Sequence, residues 1–130
     1  MDFLASLDFW LWVAAIVAAL FYLMAFFMKV LQPKEKTGAM MPWVKESSRG
    51  FVTFVGLIDL AGGLGLVLPL ATGILPFLTP LAALGTVALQ VLAIAFHGRR
   101  GETSQTIGLN IILLALGAFV FWGRRGLLGL

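Results

Sequence analysis

The chain has 130 residues, 61% of them hydrophobic and 12% charged, with a mean hydropathy of +1.03. A soluble domain of this size has too little interior to hide that much apolar surface, so the composition excludes a water-soluble fold and points to an integral membrane protein. The net charge of +3 comes from few residues at the ends of apolar runs, which argues against a nucleic-acid partner, and the absence of cysteine removes disulfides, thiolate redox chemistry and thiolate metal sites from within the chain.

The first ten residues, "MDFLASLDFW", carry Asp2 and Asp8 where a signal peptide has basic residues. The apolar run behind them is also too long for a signal-peptide core, so a first span is expected over about residues 9–28. The link "KVLQPKEKTGAMMPWVKESSRG" follows, with Lys29, Lys34, Lys36, Lys45 and Arg49. Within it Pro42 suits the start of a helical turn, and Trp43 beside Lys45 has the composition of a membrane-interface anchor.

A second span is expected over about residues 51–68 and a third over about 75–96, joined by an uncharged link bracketed by Pro69, Gly73, Pro76 and Pro80. After "HGRRGETSQ", with Arg99 and Arg100, a fourth span is expected over about 106–122. Four spans with short links define one transmembrane domain over residues 1–130, an all-α, integral membrane four-helix bundle running up-down-up-down. The odd links and their edges hold seven basic residues, and only Arg124 and Arg125 follow the last span. The bias places both odd links in the cytoplasm and both termini outside.

Each span carries one stripe of small or polar residues at helical spacing. The first has Ala14, Ala18, Tyr22, Ala25 and Lys29, and the second has Thr53, Gly56, Asp59, Gly62 and Gly63. The third has Thr79, Ala83, Thr86, Gln90, Ala93 and His97, and the fourth has Asn110, Gly117 and Arg124. At about 1.5 Å per residue, Asp59 lies roughly 12 Å into its span, Gln90 about 10 Å from His97, and Tyr22 about 10 Å from Lys29. Asn110 lies about one turn inside the fourth helix, so all these groups fall in the same half of the membrane. The expectation is a cytoplasm-facing polar cavity centred on Asp59 and lined by Tyr22, Gln90, Asn110 and His97, with Lys29, Arg99 and Arg100 as cytoplasmic-side basic residues.

An ionisable group at depth is a functional candidate by default, because a lone charge there costs roughly 2.5–3.5 kcal/mol. Buried Asn and Gln more often only bond across helices, at about 0.6 kcal/mol each. One histidine without cysteine supplies too few ligands for a metal site. No nucleophile, base and orienter stand together, and the glycines of "GGLG" lie within a span, so the chain reads as no enzyme on its own.

The run "IDLAGGLGLVLPLATGILPFLTPLAALG", the segments "AIAFHGRRGE" and "FVFWGRRG", and the link "MMPWVKES" together resemble the DoxX-like small membrane proteins from Met40 to Arg125. The resemblance implies a four-helix membrane protein, usually of a bacterial inner membrane, in a family named for a subunit of thiosulfate:quinone oxidoreductase. It carries over Asp59, His97, Arg99 and Asn110 as candidate residues, with Asp59 standing where the family pattern often has glutamate. It also implies association with membrane redox complexes for some relatives and assembly or chaperone-like roles for others.

Three functions follow, in order. The first is a binding or accessory subunit of a membrane redox system, with a quinone or lipid held by Tyr22, Asp59 and Gln90. The second is a membrane assembly or chaperone-like interaction protein that docks its glycine faces on partner helices. The third is a small proton-coupled carrier, for which the chain lacks an inverted repeat. The expected partners are membrane lipids, subunits of a redox complex and a second copy in a homo-oligomer.

Overall fold

A computed structural model describes residues 3–32, 48–99, 101 and 103–130. Within them α1 spans Phe3–Phe26 and runs on into a π-helical turn, Phe27–Leu31. Three further helices follow: α2 spans Arg49–Thr72, α3 Leu78–Arg99 and α4 Thr103–Arg124, the last continued by a 3-10 turn, Arg125–Leu128. No strand occurs among the described residues, and four helices are long and apolar enough to cross a membrane. Each helix packs chiefly on its neighbours in sequence, and α4 closes the ring against α1, which is the up-down-up-down bundle.

The distribution of side chains is that of a protein solvated by lipid. The buried core is built around Ala14, Ala15, Ala18 and Ala83, with Tyr22 and Leu66 as its large members. Large apolar side chains face outward instead, Leu20 at 62% and Leu92 at 67% exposure among them. Lipid tails are as apolar as leucine, so nothing drives these side chains inside, and the interior is left to small residues that let backbones approach.

The helices outrun the spans expected from apolar length. Ser48 caps α2, its Oγ accepting from the Phe51 amide at 3.1 Å, so the helix begins at Arg49. At the other end α2 continues through Pro69, where the chain was expected to turn, and stops at Gly73 in the left-handed conformation with φ 73°. The proline ring faces the carbonyl of Gly65 and forfeits one hydrogen bond, a loss tolerated within membrane helices. Pro80 lies in the first turn of α3, where its missing N–H would have had no partner. The uncharged link between α2 and α3 is thereby cut to residues 73–77, with Leu75 at a positive φ of 51°. The expected anchor at Pro42 and Trp43 and the basic residues Lys34, Lys36, Lys45 and Arg100 lie outside the described residues.

The open ends of α1 and α4 are tied together. Arg124 Nη1 donates to Asp8 Oδ1 at 2.7 Å, and its guanidinium lies 5.5 Å from the Trp12 ring centre. Arg125 stacks on Trp122 at 5.3 Å. Beside this clasp the Leu11 side chain fills the place a Cβ on Gly123 would take.

Two glycines separate packing from propensity. A Cβ on Gly65 would stand 2.6 Å from the Ala82 Cβ, which is fixed to the α3 backbone and has no flexible end to move aside. A Cβ on Gly85 would meet nothing within 4 Å. Gly65→Ala should therefore lower stability by about 1–3 kcal/mol, whereas Gly85→Ala should be neutral or raise it by up to about 1 kcal/mol. Thermal unfolding of both variants in detergent checks the pair.

Candidate functional site: a buried polar centre

Four of the sequence-predicted groups meet. Lys29 Nζ donates to Asp59 Oδ2 at 2.7 Å, joining the π-helical turn after α1 to the middle of α2. Gln90 Nε2 on α3 donates to the Tyr22 hydroxyl on α1 at 2.9 Å. Tyr22 lies against Gly63, one helical turn from Asp59 on α2, so the two pairs form one cluster. The cluster is shut off from the surface: Tyr22, Asp59, Thr86 and Gln90 are all exposed by 4% or less.

Glycines make the room. Gly63 on α2 lets Tyr22 lie over bare backbone, where an added Cβ would stand 3.3 Å from the Tyr22 Cβ. Gly56, one helical step before Asp59, would meet the Lys29 Cβ at 3.0 Å and the Val30 side chain at 2.7 Å if it carried a Cβ. Thr86 fits between Gly62 of α2 and Gly117 of α4, whose added Cβ atoms would lie 3.2 Å from its Cγ2 and 2.6 Å from its Oγ1. An added Cβ at Gly56 or Gly117 would displace its neighbours, whereas at Gly62 or Gly63 they would have to give by only a few tenths of an ångström.

The π-helical turn matters for the charge. Its wider winding, closed by the Gln32 amide donating to the Phe27 carbonyl at 3.0 Å, carries Lys29 against Gly56. Lys29 was expected to be a basic residue of the membrane edge. The structure makes it the counter-ion of Asp59, with a side chain only 11% exposed. Its place on the stripe of Tyr22, two helical turns on, was the signal for this; no residue in "FMKVL" announces the π turn.

The remaining candidates are Asn110, His97 and Arg99. Asn110 faces inward from α4 at 8% exposure. His97 is half-buried near the end of α3, its ring edge-on to Phe96 at 5.5 Å, and seven residues beyond Gln90 it stands about 10 Å along the helix. Arg99 is exposed at the last residue of α3, where a positive charge complements the helix dipole. Sequence reasoning placed Thr86 on the inward stripe without assigning it a role, and the structure packs it between Gly62 and Gly117 with its hydroxyl donating to the Ala83 carbonyl at 2.7 Å. Among the described residues no group of three or more His, Asp or Glu can hold a metal ion.

This arrangement defines the class: a multi-pass membrane bundle with a charge-compensated polar centre contributed by three of its helices. The chain belongs to the DoxX-like family, whose profile matches residues 13–120. No curated protein and no solved structure matches it.

A buried ion pair is asymmetric in its energetics. Removing one partner leaves an uncompensated charge and costs about 3–5 kcal/mol, while replacing both by apolar residues of similar volume is close to neutral. Lys29→Met and Asp59→Leu should each destabilise the bundle strongly, and the double variant should recover most of the loss. Equilibrium unfolding of the three variants in detergent measures the coupling.

Proposed function

We propose that this protein is a binding or accessory subunit of a membrane redox system, holding the head group of a quinone or lipid at the polar centre of Tyr22, Asp59 and Gln90. The observation that carries this reading is the convergence of one charge pair, one phenol and one amide at depth in an interior otherwise built of alanine, glycine and aliphatic side chains. A buried ion pair sets geometry but adds little net stability over apolar residues of similar volume. Intramembrane ionisable residues mark ligand and ion pathways more often than packing devices.

Asn110 and His97 contribute, in this reading, at the mouth of the site, towards the end of the bundle where α3 ends and α4 begins. Lys29, Arg99 and Arg100 mark that end as cytoplasmic under the positive-inside rule, which places both termini outside, in a bacterial inner membrane. Arg124 and Arg125 at the opposite end argue the other way, two basic residues against seven.

The assembly reading drew on glycine faces free to dock on partner helices. Gly56, Gly62, Gly63, Gly65 and Gly117 all face neighbouring helices of their own bundle, which favours the binding reading over it.

Quenching of the intrinsic tryptophan fluorescence by decylubiquinone, by its reduced form and by dioctanoylglycerol, each in reconstituted vesicles, tests the proposal, which needs saturable binding of at least one. The native chain should show saturable binding beyond lipid partitioning, weakened about tenfold or more in Asp59→Asn. Linear quenching by all three, identical in both proteins, would contradict it.

A further inference from the structure

Among the described residues two buried side-chain polar atoms have no hydrogen-bond partner, Thr79 Oγ1 and Gln90 Oε1. Both lie on the inward line of α3, but eleven residues separate them, about 16 Å along the helix. Thr79 is therefore remote from the polar centre. Gln90 Oε1 belongs to it.

The direction of the hydrogen bonds decides what Gln90 lacks. The Tyr22 hydroxyl oxygen accepts from Gln90 Nε2 at 2.9 Å, so the amide stands with its nitrogen on Tyr22 and its oxygen pointing elsewhere, without a partner. The open valence of the polar centre is an acceptor, on a residue 4% exposed.

A buried carbonyl oxygen without a partner costs about 1–3 kcal/mol, and that cost is recovered by a group that donates to it. We infer that the ligand of this site presents a hydroxyl donor to Gln90 Oε1, so that the centre selects hydroxyl-bearing apolar molecules over their carbonyl counterparts. The inference rests on the binding reading above and adds the chemistry of the head group. A quinone offers only acceptors, and its carbonyl placed against Gln90 Oε1 would add a second unsatisfied oxygen. A quinol, or a lipid with a free hydroxyl such as a diacylglycerol, supplies the missing proton. In either case the ligand donates to Gln90, while Tyr22 holds the amide in place.

Anaerobic binding to the full chain in vesicles, with decylubiquinol, decylubiquinone and dioctanoylglycerol as probes, tests this. At least one hydroxyl-bearing probe should bind about tenfold or more tightly than decylubiquinone. Preference for decylubiquinol identifies a redox carrier as the source of the hydroxyl, and preference for dioctanoylglycerol identifies a lipid; both support the inference. Gln90→Met should abolish the preference by weakening the hydroxyl-bearing probe. Tyr22→Phe should reduce it differently, by freeing Gln90 Nε2 to donate to a carbonyl and so strengthening decylubiquinone. Equal or tighter binding of decylubiquinone to the native chain overturns the inference while leaving the binding reading in place. Saturable binding of none of the three overturns both.

Discussion

The structure depends on one interaction more than any other, the ion pair between Lys29 and Asp59. Asp59 lies ten residues into α2, about 15 Å from its start, where an isolated carboxylate would be costly. The pair removes that cost only if the lysine reaches it, and three features of the chain make that reach possible. The π-helical turn carries Lys29 against α2, Gly56 leaves a gap for the lysine stem and Val30, and the short aspartate keeps its carboxylate close to its own helix. The same seam between α1 and α2 brings Tyr22 over Gly63.

From there the geometry propagates around the ring. Tyr22 accepts from Gln90 and thereby ties α1 to α3 across the bundle interior, while Thr86 lies between glycines of α2 and α4. Four helices are thus referenced to one polar cluster, with alanine and glycine filling the remaining interface. A membrane interior offers no hydrophobic drive for helix association, so close backbone approach and a few hydrogen bonds must do what apolar burial does in water. The clasp of Asp8, Trp12 and Arg124 at the open ends completes the closure with an ion pair whose carboxylate is half exposed, worth little by itself.

Much of this was legible in the sequence. Apolar length and turn residues gave four spans, and the inward stripes correctly named Ala14, Ala18, Tyr22, Asp59, Thr86, Gln90 and Asn110 as buried, because small and polar residues have no other reason to recur at helical spacing in a lipid-facing helix. Helix ends were less legible. Pro69 reads as a stop by local rules, yet a single lost hydrogen bond is cheaper than exposing several backbone groups to lipid, so α2 runs on to Gly73. The role of Lys29 was hidden for another reason. A basic residue near the end of a span is ordinarily an edge marker, and only the local change of helical pitch, which no residue type in "FMKVL" encodes, turns it inward. The unpartnered acceptor on Gln90 is a property of hydrogen-bond direction between α3 and α1, and no linear pattern carries it.

The most direct measurement of the central claim, that the ion-paired polar centre is a binding site, is organic extraction of the purified native chain, Asp59→Asn and the packing control Gly85→Ala, followed by mass spectrometry of the extracts. The account predicts one specific apolar compound with a polar head group, near one-to-one with protein in the native and Gly85→Ala samples and lost from folded Asp59→Asn. Bulk membrane lipid alone in all three samples would contradict it and leave the Lys29–Asp59 pair as a packing device.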